Sequence, residues 1–474
     1  MTAMLAMFFS ALFGFLGLAP IPTPAPAPAT EASTQPAAEK APETRAESKP
    51  ATASAAKPAS ISPEMRAAFE KSAEYSSKLS GRAVLVMHRG EVLFESYTNG
   101  WAADRPHILA SGTKSFSGVA AMAAVQDGLI KLDDKVSDTL TDWKADPRKA
   151  NITVRQLLNL SSGLQPNPPE LAPGGGGGGA RARDPEASQE NRRETLRERL
   201  RQRAQGEGPD IDGLVDARSQ RDTYALGAAT KSVREPGASF AYGPSHYFAF
   251  GAYMNAVLAK SGRPEKNFGA YLESRILKPT QISLDRFNKD VKGNIALPAG
   301  ARLTAREWAR FGEFVRLGGK VRQPDGTLKP FLDEKLLREC FKPSEANPAY
   351  GLTWWLLVPE SKLGAARDAS AMISRESAAN ITVDGKPLEV WMAAGAGKQR
   401  MYIIPALDLV VVRFAGGQGG GREFANDAFL RPIVEALAKQ STPNTKTDTK
   451  PETKSDTGPA AQPADTSSAK PPAR

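Results

Sequence analysis

The chain has 474 residues, a formal net charge of +10 and a single cysteine, Cys340. One cysteine excludes an intramolecular disulfide and a cysteine-based metal cluster. The excess positive charge is scattered, with no basic stripe carrying interleaved aromatics, so a solvated basic surface is expected and no nucleic-acid partner.

Residues 1–19 are apolar except for Thr2 and Ser10 and end in Gly17, Leu18 and Ala19. They read as a signal peptide or an uncleaved N-terminal membrane anchor. Either reading places the protein outside the cytoplasm, in the periplasm or cell envelope. Residues 20–62 are rich in Pro and Ala and are expected to form a disordered linker, since they cannot bury enough apolar area to offset ordering entropy. Residues 441–474 have no aromatic or branched aliphatic side chain and read as a disordered tail. What remains, 63–440, is enough for one large domain.

Within it a helix is expected over 64–80, anchored by Met65, Phe69 and Tyr75. Strands over 82–87 and 92–97 make a hairpin across His88–Glu91. A buried helix begins near Ser111 and carries the apolar run Val119–Val125; a loop follows over Gly128–Val136. A short helix runs from Thr153, its N-cap, to Gly163, its stop. Residues 165–220 read as an insertion, with Pro166, Pro168, Pro169 and Pro173 leading into glycines at 174–179 and an Arg/Glu-rich stretch at 181–205. That stretch suits a solvated helix, as a mobile decoration or a lid.

Order resumes near Tyr224. A turn and loop over 236–245 carry Tyr242, and helices follow over 247–258 and 265–277. The helix over 303–317 opens with a Thr304–Glu307 capping box. Strands are expected over 388–393, 401–404 and 409–414, the last two joined by a turn at Pro405–Asp408. Helices in the middle with strands at both ends predict an α+β fold, an antiparallel sheet flanked by helices plus a mostly helical lobe. The first and last strands would pair in one sheet.

The stretch with chemistry in it is Ser111–Lys114. Ser-x-x-Lys also occurs at Ser54–Lys57 and Ser467–Lys470, but only the middle copy precedes a buried helix. Residues three apart share a helix face, so Lys114 can take the proton that makes Ser111 a nucleophile. The helix N-terminus supplies backbone N–H groups and positive dipole near Ser111, where an oxyanion can be held. The histidines, His88, His107 and His246, show no metal-ligand spacing, and Lys114 makes a Ser-His-Asp triad through His107 or His246 unnecessary. Cys340 reads as structural.

The ordered blocks Ile108–Phe116, Val154–Leu164, Pro236–Pro244, Ala301–Phe311 and Tyr350–Trp355 resemble the serine β-lactamase-related superfamily. That group includes class C β-lactamases, D-alanyl-D-alanine carboxypeptidases, esterases and 6-aminohexanoate-dimer-hydrolase-like enzymes. The resemblance covers roughly 63–440 outside the insertion. It implies that Ser111 forms an acyl-enzyme, that Lys114 and Tyr242 move its proton, with either as the base, and that the N–H of Ala396 joins that of Ser111 in the oxyanion hole. Gly395 would let substrate approach the strand in the pocket; Trp354, with Trp355 beside it, reads as a floor of that pocket or as part of the core. No metal or organic cofactor is implied.

Two motifs depart from the pattern. Tyr-x-Asn is Tyr242-Gly243-Pro244 here, and the Lys-Thr-Gly or His-x-Gly motif is reduced to Ala393-Ala394-Gly395. The nearby Lys398 or Arg400 could substitute for the missing cation, but solvated flanking charges are the simpler reading. These losses favour an esterase or an amidase for small linear substrates. A β-lactamase or D-alanyl-D-alanine carboxypeptidase, and a weakly catalytic envelope protein binding cell-wall fragments, are the other readings.

Overall fold

The computed structural model describes residues 61–171, 221–363, 377–416 and 424–441. The expectations for residues 1–19, for most of the linker and insertion, and for the tail beyond Ser441 lie outside the described residues. Among the described residues, no helix is long and apolar enough to cross a membrane.

The hairpin forms from β1 (Gly81–His88) and β2 (Glu91–Tyr97). Trp355–Leu356 (β3), Trp391–Gly395 (β4), Gln399–Ile404 (β5) and Leu409–Ala415 (β6) complete a six-stranded antiparallel sheet in the order β2-β1-β6-β5-β4-β3. The first and last long strands do pair, with Val84 opposite Arg413 and Val86 opposite Val411. Every residue of β6 is buried, because helices cover both faces of the sheet at its centre.

On one face lie α1 (Pro63–Lys78) and a C-terminal helix, α8 (Asn426–Ser441). Phe69 of α1 packs edge-on against Phe94 of β2, and Tyr402 of β5 meets Phe429 of α8. The other face is covered by α7 (Ala305–Arg316), whose Trp308 stacks on Phe414 at 5.6 Å. The expected capping box opens α7, with the Thr304 hydroxyl accepting from the Glu307 amide.

The helical part is built from α2 (Ser115–Gln126), α3 (Val154–Leu158), α4 (Thr223–Ala229), α5 (Ser245–Lys260) and α6 (Phe268–Leu272), which runs on as a π-turn to Leu277. Ten of the twelve residues of α2 are buried, so it is apolar all round and lies between sheet and lobe.

Three expectations shift, and one helix is new. The helix at Ser111 starts as a 3-10 turn, Ala110–Lys114, and becomes α-helical only at Ser115. The helix from Thr153 stops at Leu158, because Leu160 takes a left-handed conformation (φ 63°) and turns the chain under the Tyr242 loop. The strand expected from Leu388 begins at Trp391; the Leu388 amide instead donates to the Ile381 carbonyl. Helix α8 was not expected from the sequence, where Pro432 interrupts the pattern inside it.

Candidate active site

The Ser111 turn is clamped by its own side chains. The Thr113 hydroxyl donates to the Ala110 carbonyl at 2.7 Å and accepts the Ala301 amide at 3.1 Å. The Ser115 hydroxyl donates to the Gly112 carbonyl at 2.7 Å. Ala110, directly before Ser111, is held left-handed at φ 46°, a conformation costly for a residue with a Cβ. A 3-10 turn has three residues per turn, so Ser111 and Lys114 are eclipsed. Lys114 Nζ accordingly lies 2.9 Å from Ser111 Oγ.

Lys114 is only 4 % exposed, while Ser111 is half-buried and open to the outside. Lys114 Nζ also donates to the Pro298 carbonyl at 2.7 Å. It stands 5.1 Å from the ring centre of Tyr242 and 5.3 Å from that of Tyr247. The structure thus brings Ser111, Lys114 and Tyr242 together. The Tyr247 and Tyr350 hydroxyls share a hydrogen bond at 2.8 Å, and burial pushes both phenols well above their usual range. Those two stay neutral, which leaves half-buried Tyr242 as the phenol at the opening.

The loop of Tyr242 is pinned from below by His246, which is fully buried. Its Nε2 faces the Ala241 carbonyl at 2.8 Å and its Nδ1 faces the Ser162 hydroxyl at 2.8 Å. A carbonyl only accepts, so Nε2 carries the proton and Nδ1 accepts from Ser162. Burial is the main cause that draws the His246 pKa down to about 4; the bond to Ala241 opposes this and the Lys114 charge adds to it. The ring is therefore neutral and spent on its two partners. His107 is sandwiched between Trp101 and Phe414, and His88 ends β1 in the hairpin.

Gly243, inside the altered Tyr-x-Asn motif, has a physical reason. A Cβ there would stand 2.0 Å from the Pro166 carbonyl oxygen, so only glycine lets the two loops meet. The exposed Asn167 reaches the same loop, its amide donating to the Tyr242 carbonyl at 3.3 Å. Sequence reasoning did not single out Asn167 and read Pro166 only as the start of an insertion, because their approach to Tyr242 is long-range.

The end of β4 abuts the Ser111 turn. A Cβ on Gly395 would lie 2.0 Å from the Leu109 carbonyl oxygen, two residues before Ser111. The next residue, Ala396, is exposed and opens the tight turn Ala396–Lys398. Trp354 is not at this opening. It is fully buried between Phe311 and Phe341, in the core. Its neighbour Trp355 stacks on Tyr242 instead, with ring centres 5.6 Å apart. Arg400 is not a solvated charge either. It is 1 % exposed, because the sheet register puts it opposite Arg413 on the face covered by α1. Cys340 is buried, and burial raises its thiol pKa, which keeps it protonated and inert. Among the described residues no cluster of His, Cys, Asp or Glu fits a metal ion.

An antiparallel sheet with a Ser–Lys pair at the head of a buried helix beside its edge defines a protein of the β-lactamase/transpeptidase type. The chain belongs to the Beta-lactamase family, whose pattern matches residues 65–435. Solved structures of the same fold include a candidate β-lactamase from Bacteroides dorei (TM-score 0.53, 15% identity, 79% of this chain and 98% of that one). A candidate 6-aminohexanoate-dimer hydrolase from Bacillus anthracis is also similar (TM-score 0.50, 16% identity, 78% and 83%), as is a family VIII carboxylesterase (TM-score 0.50, 14% identity, 80% and 98%). At these identities the likeness establishes the fold. No curated protein matches the sequence significantly.

Proposed function

We propose that this chain is a serine hydrolase that forms an acyl-enzyme on Ser111 and acts on small uncharged esters, with linear amides as slower substrates. The observation that carries the reading is the 2.9 Å approach of Lys114 Nζ to Ser111 Oγ inside a buried aromatic setting. Ser111 Oγ attacks the substrate carbonyl carbon while its proton passes to the Lys114–Tyr242 pair. The tetrahedral oxyanion is held by the N–H groups of Ser111 and Ala396. Its collapse breaks the ester C–O bond, and the leaving alcohol takes the proton back. Water then attacks the acyl carbonyl by the same route and regenerates Ser111.

Substrate class follows from what lines the entry. The third motif carries alanines where a cation would receive a carboxylate, and Arg400 points into the sheet's other face. A β-lactam or D-alanyl peptide would bring its carboxylate to a site with no motif cation to receive it. The apolar start of the chain supports export, where cell-envelope esters are within reach.

The test is mass spectrometry after fluorophosphonate treatment of the full chain, with Ser111→Ala as control, followed by hydrolysis assays with short p-nitrophenyl esters, anilides and nitrocefin. One adduct on Ser111, absent from the control, with esters turned over fastest, supports the reading. No adduct on folded protein overturns it in favour of a binding protein, and nitrocefin turnover above that of esters overturns the substrate class.

A further inference from the structure

The hairpin turn carrying Ala396 is braced by three buried side chains, Gln399, Arg400 and Arg413. Arg400 Nη1 donates to the Gly395 carbonyl at 3.1 Å and to the Gln399 carbonyl at 3.0 Å. Arg413 Nη1 donates to the Lys398 carbonyl at 2.9 Å, and its other nitrogens donate to Ser76 Oγ in α1 at 2.9 Å and to the carbonyl of Leu79, which caps α1, at 2.8 Å. The Gln399 amide exchanges two bonds with the backbone of Ala415, at 2.8 and 2.9 Å. Both ends of the turn are thus tied to the sheet and to α1.

One of these bonds has an electronic consequence. The Gly395 carbonyl and the Ala396 N–H belong to the same peptide unit. A guanidinium on the carbonyl draws electron density toward oxygen and leaves the N–H a stronger donor, and hydrogen bonds in such chains strengthen one another. The effect is large where the cation is out of water, and Arg400 is 1 % exposed. Burying two guanidiniums side by side is costly, which makes a purely structural brace an expensive solution.

We propose that Arg400 is a positioning residue for the oxyanion site, fixing and polarising the Gly395–Ala396 peptide so that the Ala396 N–H binds the developing oxyanion, with Arg413 holding the far end of the turn. This rests on the hydrolase reading above.

The test uses the full-length protein and its Arg400→Met and Arg400→Lys variants. Hydrolysis of p-nitrophenyl butyrate gives kcat and KM, and difference infrared spectra with a carbonyl-labelled ester give the acyl-enzyme carbonyl stretch. Thermal melts report folding. Arg400→Met is expected to lower kcat roughly tenfold with little change in KM, a fraction of what loss of a whole oxyanion donor costs. Its carbonyl stretch moves to higher frequency, and Arg400→Lys, which keeps the charge, recovers part of both. An unchanged stretch and kcat in folded Arg400→Met, or equal losses in Met and Lys variants that track the melting temperature, would overturn the proposal alone. An inert wild-type chain would overturn the hydrolase reading, and this inference with it.

Discussion

The Thr113 hydroxyl holds Ala110 in a left-handed conformation by donating to its carbonyl at 2.7 Å, one residue before Ser111. The same hydroxyl accepts the Ala301 amide, so one side chain links the Ser111 turn to the segment that carries Pro298. Thr113→Val removes both bonds and leaves the Ala301 N–H buried and unpaired. It is expected to cost about 2 kcal/mol by urea unfolding and to slow fluorophosphonate labelling of Ser111. Ala110→Gly relieves the left-handed strain and is expected to be neutral to about 1 kcal/mol stabilising, since glycine loses more entropy on folding. Destabilisation by Ala110→Gly beyond about 1 kcal/mol would show that the strain is not carried there.

Lys114→Met removes the group nearest Ser111 Oγ while keeping the aliphatic stem. General-base loss of this kind lowers kcat/KM for p-nitrophenyl esters by about 10²–10⁴-fold, with the protein still folded by circular dichroism. A fall of less than about tenfold would assign the proton transfer to another group, with Tyr242→Phe the next variant to measure.

His246 gives the protein an acid-sensitive joint. Its pKa is about 4 in the folded protein and near 6.5 when unfolded. The unfolded chain therefore binds the extra proton between these values, and stability falls with acid through that window. The full contribution is present above about pH 6.5, and on the order of 3 kcal/mol is lost as pH drops toward 4. Urea midpoints of wild type and His246→Gln, compared from about pH 7 to about pH 4.5, should converge as the pH falls. A constant gap would contradict the buried neutral ring.

The two adjacent tryptophans should behave differently. Trp354→Phe leaves a cavity in the core between Phe311 and Phe341, and is expected to cost on the order of 2 kcal/mol while the folded fraction keeps its kcat. Trp355→Phe trims the ring that stacks on Tyr242, and should lower kcat and shift its pH profile. Equal effects on kcat would mean that Tyr242 does not depend on that stack.

Much of this was legible locally. The spacing of Ser111 and Lys114 fixes their juxtaposition whether the turn is 3.0 or 3.6 residues long, so the change to a 3-10 turn leaves the pair intact. The Thr304–Glu307 capping box and the apolar runs of β1 and β6 are equally local signals. The choice between Trp354 and Trp355 is not local. It depends on which one faces Tyr242 across the fold, and adjacent aromatics give no sign of it. Arg400 failed for a related reason. Its burial follows from its register opposite Arg413, set by a strand pairing beyond the reach of its own neighbours in sequence. Helix α8 was hidden by Pro432, which the helix accommodates while packing Phe429 on Tyr402.

The central claim is that Ser111 carries the acyl group during turnover. The most direct measurement is rapid-quench mass spectrometry of the full chain during hydrolysis of p-nitrophenyl butyrate. A butyryl adduct mapping to Ser111, formed with the first release of p-nitrophenol and missing in Ser111→Ala, is the expected result. Turnover that persists in Ser111→Ala, or an adduct on any other residue, would contradict it.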